Sequence, residues 1–266
     1  MTKPLKMTDY PTNMSNSQWQ VIESYLDNER KRRYSVREII NAIFYLVKTG
    51  CQWRMLPSDF PRWQVVYYYF SKWKRNGVLE CMGCSLVRMH RKCCGREVQP
   101  TAAIMDAQSV KNSMVSKASD TGYDAGKRIK GMKRHIVVDT AGMLLCVRVH
   151  SAAIADRKGG KLVLDGLGRN WGTVRKLFVD GGYGLPGRYQ QYDAPINGYE
   201  IEIVKRSDIK AGSISPKRWV VERTFAWFET NRRNAKGYER LASTAETIIE
   251  LSAIRLMLNR LYPIHF

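Results

Sequence analysis

The chain has 266 residues, 44% of them hydrophobic, with a formal net charge of +20 and a sequence pI near 9.8. That length and apolar content suffice for one large domain, or for a core plus a small accessory one, and exclude a chain too polar to fold. The cationic surplus is spread along the whole sequence rather than held in a tail. It calls for an acidic partner, and nucleic acid is the usual one for a soluble chain. The N-terminus lacks an apolar signal core and no apolar run approaches a membrane span, which predicts a cytoplasmic protein with reduced thiols.

Residues 1–16 read as a flexible arm, and 17–80 as a small helical domain. Trp19, Ile22 and Leu26 share one face of a first helix. Ser35-Val-Arg-Glu38 is a capping box that starts a second, with Val36, Ile39, Ile40, Ile43 and Val47 inward and Gly50 placed to end it. A third runs from about Arg62 to Arg75, with Trp63, Val66, Phe70 and Trp73 as its apolar stripe. Its outer side offers Arg62, Gln64, Lys72, Lys74 and Arg75. Three short helices with a basic last one fit a helix-turn-helix-like DNA reader, and equally a helical cap packed on the main domain. Residues 81–100 form a helix and a linker ending at Pro100. Cys81, Cys84, His90, Cys93 and Cys94 suggest a zinc site, but their spacing is compressed and they alternate with an apparent helix.

Beyond Pro100 the period changes. Strands are predicted at 102–110, 135–138 and 143–149, the last two joined by the turn sequence Asp139-Thr-Ala-Gly142. A helix capped by Asp156 reaches about Leu167, a strand covers 173–179, and the alternating segment 199–205 reads as an edge strand. A helix from about Pro216 to Arg232 and an amphipathic one over 244–262 complete an α/β domain with a mixed sheet over 101–266.

Asp106 interrupts a run that otherwise reads as a buried strand, where an unpaired carboxylate is costly. Asp180 ends a second such run, ahead of two glycines. Glu222 lies in a tryptophan-rich helix with charge on one stripe, though a surface pair with Arg218 would also account for it. The other acids have plainer roles. Asp139 belongs to the hairpin turn, Asp156 to a cap, Asp165 to a helix face, and Asp120 and Asp124 to a glycine-containing loop. Three converging carboxylates can hold two divalent ions about 4 Å apart, which serve phosphodiester cleavage without a histidine or cysteine nucleophile. In that scheme Asp106 bridges both ions, and Asp180 and Glu222 each complete one. The segment 111–135 carries seven Lys and Arg against two Asp. Lys111, Lys127, Arg128, Lys130, Lys133 and Arg134 are candidate phosphate clamps on a loop made mobile by its glycines, or else a solvated charged loop. Arg218 and Arg223 flank Glu222 as candidate grips on DNA, and Arg218 suits a structural carboxylate partner equally well.

PKRWVVERTFAWF at 216–228, FVDGGYG at 178–184, GKRIKGMKRHIVVDTAGMLL at 126–145 and TGCQWRMLPSDFPRWQVVYYYFSKW at 49–73 resemble bacterial insertion-sequence transposases, the "insertion sequence five" family in particular. The resemblance covers essentially the whole chain. It implies a ribonuclease H-like (retroviral-integrase-like) core with an Asp-Asp-Glu site on Asp106, Asp180 and Glu222. It further implies cutting at terminal inverted repeats with Mg²⁺ or Mn²⁺, two ions per site, and attack of the freed 3′-hydroxyls on target DNA. A homodimer assembled on double-stranded DNA is expected, since two element ends must be joined. The family's Tyr, Arg, Glu, Lys signature is only half kept. Arg218 and Glu222 match, while Ser215 and Glu229 stand at the tyrosine and lysine positions, and Arg232 and Arg233 one turn on are candidates to replace the missing charge. A nuclease or resolvase without strand transfer, and a non-catalytic DNA-binding descendant, are the alternatives.

Overall fold

The computed structural model describes residues 9–26, 33–184, 198–204 and 218–263. Seven α-helices and six strands are described. The N-terminal helices are α1 (Asn16–Ile22), α2 (Val36–Thr49), α3 (Trp63–Arg75) and α4 (Val78–Cys93). The sheet comprises β1 (Ala102–Lys111), β2 (Gly122–Asp124), β3 (Ile129–Asp139), β4 (Leu144–Ser151), β5 (Lys176–Val179) and β6 (Glu200–Ile203). Helices α5 (Asp156–Asn170), α6 (Arg218–Glu229) and α7 (Ala242–Leu261) cover it.

The start of α2 is set by the Ser35–Glu38 capping box, with both reciprocal hydrogen bonds present, and its end by Gly50 in the left-handed region at φ +73°. A second capping box, Ser15 with Gln18, starts α1 and adds to the expected caps. Residues 9–15, expected to be part of a loose arm, are docked. Met14 is buried and its N–H donates to Asn41 Oδ1 at 3.0 Å, while Tyr10 stacks on Phe60 with centroids 4.9 Å apart. The apolar side of this short segment is enough to hold it on α2.

The sheet order is β2-β3-β1-β5-β6, with β4 also paired to β3. Strands β1, β3 and β4 run antiparallel, and β5 and β6 add parallel to β1. This mixed, curled sheet with helices on both faces is the ribonuclease H-like fold. Helix α5 packs on one face, and α6 and α7 on the other. Helix α7, expected to be amphipathic, is buried on most sides, because α2 and α4 cover it opposite β4. The helical N-terminal part is thus a cap whose core is continuous with that of the α/β part.

The basic segment after β1 is more ordered than a mobile loop. β1 runs through Lys111, Gly122 pairs with Gly131, and β3 begins at Ile129. Gly131 is needed for close packing, since a Cβ there would collide with the Val110 carbonyl. Asp139 closes the β3–β4 turn by accepting from the Ala141 and Met143 N–H groups at 2.9 Å. The same buried carboxylate pairs with Arg91 Nη1 of α4 at 2.6 Å. Asp156 does not cap α5. The N-cap is Ala155, and Asp156 in the first turn instead meets Lys133 Nζ at 2.7 Å. The cysteines of α4 are unbridged, with Cys84 buried and Cys81, Cys93 and Cys94 exposed, as one helix dictates by pointing them in different directions.

A buried histidine pair lies between the sheet and α5. His135 Nδ1 and His150 Nε2 are 2.8 Å apart, and His150 Nδ1 is 2.9 Å from the Ser151 carbonyl. A carbonyl only accepts, so His150 donates from Nδ1 and takes the His135 proton at Nε2. Burial pulls the His135 pKa down to about 3.

These contacts set two measurable outcomes. Gly50→Ala forces a left-handed alanine whose Cβ lies 3.1 Å from that of Arg232, and should cost roughly 2 kcal/mol in urea unfolding. For His135 the folded pKa lies below the ordinary 6.5, so the native state binds fewer protons than the unfolded state between those values. Its contribution is therefore present above about pH 6.5 and is lost as pH falls toward 3. A His135→Gln protein should show a flatter fall in urea midpoint over that interval.

Candidate active site

The first two acids are reached along two neighbouring strands. β1 and β5 are parallel neighbours with Ala102 opposite Lys176, Ala103 opposite Leu177 and Ile104 opposite Phe178. Asp106 lies two residues beyond the last of these pairs on β1, and Asp180 two residues beyond it on the β5 side. Asp106 is half-buried, and its Oδ1 accepts from the Ala107 N–H at 2.8 Å. Asp180 comes directly after the last residue of β5 and caps a 3-10 turn, its Oδ1 accepting from the Gly182 N–H at 2.9 Å. A backbone donor thus orients each carboxylate, and both lie at a point where the sheet changes from antiparallel to parallel neighbours.

The third acid comes from α6. Gln108 Nε2 of β1 donates to Glu229 Oε1 at 2.6 Å, and beyond the helix Gly237 N donates to the Lys111 carbonyl at 2.9 Å. These two ties hold the end of α6 and the chain beyond it against β1. Glu222 and Glu229 are seven residues apart, hence two turns on one side of the helix. Glu222 itself is exposed on α6. The other side of α6 is stapled to the β3–β4 turn, with Arg223 Nη2 on the Ala141 carbonyl at 3.0 Å and Thr224 Oγ1 on the Gly142 carbonyl at 2.9 Å.

Among the described residues, no three His, Cys, Asp or Glu side chains are close enough together to hold a metal ion. The chemistry of the three carboxylates nevertheless suits a hard divalent cation, which takes carboxylate oxygen and keeps several waters. A fourth acid, which carries no site signal in the sequence, lies close by. A Cβ on Gly182 would be 3.1 Å from Asp180 Oδ1 and 3.3 Å from Asp156 Oδ2, so these two carboxylates flank one glycine. Lys133 Nζ bridges Asp156 at 2.7 Å and Asp124 at 3.3 Å, and Ser109 Oγ donates to Asp124 at 2.6 Å. These partners lower the Asp124 pKa against the opposing effect of its burial, which is the largest single influence on it.

The chain matches the family model "Transposase DDE domain" over residues 98–257, and "Putative transposase of IS4/5 family" over residues 14–82. It belongs to the DDE transposases. The two matches together make it an insertion-sequence transposase of the IS4/IS5 type. No curated protein matches the chain, and no solved structure does. Membership of the DDE transposases entails a DNA substrate and, as a rule, divalent metal ions. No helix among the described residues is long and apolar enough to cross a membrane.

The transposase's candidate DNA-binding residues divide into two groups. Lys111, Lys127, Arg128, Lys130, Arg232, Arg62, Gln64 and Arg75 are exposed. Several others expected to clamp phosphate are occupied internally. Lys133 is the buried centre of the Asp124–Asp156 network. Arg134 is buried, with Nη1 on the Asn234 carbonyl at 2.7 Å and Nη2 on that of Lys236 at 3.3 Å, and burial lowers its pKa to about 10. Arg233 pairs with Glu239 at 2.6 Å and donates to the Cys51 carbonyl at 2.9 Å. Both arginines thus tie the chain after α6 to its neighbours, a need that arises only once that chain is folded back. Arg223 lies 4.1 Å from the Trp219 ring centroid and 4.4 Å from that of Trp227. Lys74 Nζ donates to Ser243 Oγ at 2.8 Å, and Lys72 lies 5.9 Å from the Tyr69 ring. The Arg218 side chain and Ser215 fall outside the described residues.

Since Arg223 joins α6 to the hairpin turn, Arg223→Gln should lower the thermal midpoint through loss of two cation–π contacts worth about 0.5–1 kcal/mol each. Calorimetry of the two proteins checks this.

Proposed function

We propose that this transposase binds the terminal inverted repeats of its element, cleaves DNA there and joins the freed 3′-hydroxyls to target DNA. What supports the reading is membership of the DDE family in a chain of charge +20, together with the parallel pairing of β1, which carries Asp106, with β5, which Asp180 follows directly. Asp106, Asp180 and Glu222 are the residues to hold two Mg²⁺ or Mn²⁺ ions. When bound, such ions lower the pKa of an attacking water and neutralise phosphate charge.

The side chains have separable tasks. The three carboxylates supply oxygen ligands on stiff elements. Lys111, Lys127, Arg128 and Lys130, exposed along the β1–β3 side, grip the phosphate backbone, as does Arg232 beyond α6. Arg62, Gln64 and Arg75 on the outer side of α3 offer the helical part a second DNA contact. In the first step a water oxygen attacks phosphorus, the P–O3′ bond breaks and the departing oxygen is protonated to a 3′-hydroxyl. In the second, that hydroxyl attacks a target phosphodiester and releases a new 3′-hydroxyl. Joining two ends requires two such sites, so the active species is a homodimer on DNA, acting in the cytoplasm.

Purified protein should nick an inverted-repeat duplex with Mg²⁺ or Mn²⁺ and not with EDTA. Asp106→Asn, Asp180→Asn and Glu222→Gln should each lower the nicking rate by roughly a thousandfold, several kcal/mol of transition-state stabilisation. Duplex affinity should stay within a few fold. Undiminished nicking by Asp106→Asn would sink the metal scheme. Nicking without joined products would make the protein a nuclease instead.

A further inference from the structure

Away from the acids, a groove of about 730 Å³ opens along the seam between the helical cap and the α/β part. One wall comes from the turn before α3 and from α3 itself, the other from residues 115–117 and 238–244. Its walls are aromatic and cationic together. Trp53 and Tyr67 meet edge to face at 5.1 Å, and Tyr67 remains 45% exposed. Arg54 lies 5.4 Å from the Trp63 ring centroid, a cation beside an indole. Across the groove Tyr238 is 37% exposed, with Arg233 5.9 Å from its ring centroid. The groove's one acid, Glu239, is taken up by Arg233. Arg54, Lys117 and Arg240 are exposed and have no carboxylate partner among the described residues.

This combination selects its occupant. The cations fit a phosphate backbone, yet a duplex hides its base faces in the stack and would leave the rings uncovered. Exposed rings beside cations are what an unpaired strand uses, each base stacking on an aromatic face while its phosphates meet the charges. We propose that this groove binds a short unpaired stretch of DNA through Tyr67, Tyr238 and the Arg54–Trp63 surface, with Lys117 and Arg240 on its phosphates. The chain leads there from both acid-bearing elements. β1 runs on from Asp106 through Lys111 toward Lys117, and the chain after α6 runs from Glu222 to Tyr238 and Arg240. Asp106 to Lys111 spans five strand residues, about 17 Å. On the proposed reading, a strand end leaving the acids along β1 runs on toward this groove. This deepens the transposase reading and rests on it for where the unpaired DNA comes from.

The test uses the full-length protein with two fluorescein-labelled probes, a ten-nucleotide oligothymidylate and a twenty-base-pair duplex, monitored by anisotropy. The double variant Tyr67→Ala with Tyr238→Ala should weaken oligothymidylate binding at least tenfold and change duplex binding less than twofold. Tyr67→Phe with Tyr238→Phe keeps the rings and should bind oligothymidylate within twofold of the parent. Equal weakening on both probes, or unchanged oligothymidylate binding by the alanine pair, would overturn the proposal. Asp106→Asn separates the two readings, since it should abolish nicking and leave oligothymidylate binding intact. Ring-dependent oligothymidylate binding in a parent protein that never nicks would leave the groove standing and remove the transposition chemistry.

Discussion

The parallel pairing of β1 with β5 is the constraint on which the rest hangs. It is short, three residue pairs, but it sets the height of Asp180 against Asp106 and so decides whether two distant carboxylates are neighbours. A slip of one residue would turn every side chain of the strand to the other face. Two buried runs prevent the slip. Ala103, Ile104 and Met105 on β1, and Leu177, Phe178 and Val179 on β5, are almost fully removed from water. Hydrophobic burial thereby holds charge where burial alone would reject it.

A second layer of organisation concerns α6 and the chain beyond it. The helix is fixed along β1 by Gln108–Glu229, to the hairpin turn by Arg223 and Thr224, and beyond its end by Arg134 and Arg233. Glu229 accepts a hydrogen bond from Gln108 of β1. Much of the chain's positive charge is therefore spent on its own carbonyls and carboxylates. The cations left exposed fall along the β1–β3 side, on the outer side of α3 and in the seam groove, three places a nucleic acid could touch in turn.

Local signals were legible where they were complete in themselves. The Ser35–Glu38 box and Gly50 bound α2 as expected, because both ends depend on residues a few positions apart. The alternating segment near 200 became the edge strand β6, and the Asp139–Gly142 turn closed the β3–β4 hairpin. The division of Lys and Arg into exposed and internal groups was not legible. Lys133 and Arg134 look like Lys127 and Arg128 in sequence, and only their placement on a central strand between two covered faces distinguishes them. The Asp156–Lys133–Asp124 network and the His135–His150 pair were invisible for the same reason. Their members belong to different elements and carry no local pattern.

The sequence by itself determined the elements, the family and the choice of candidate acids, since periodicity, caps and long motifs are properties of neighbouring residues. Only the tertiary structure decided the helical part's place against α7 and β4, the cations left over for DNA, and the union of two chain segments into an aromatic groove. Those outcomes depend on which surfaces meet, and a contact between residues more than a hundred positions apart leaves no trace in the spacing of either.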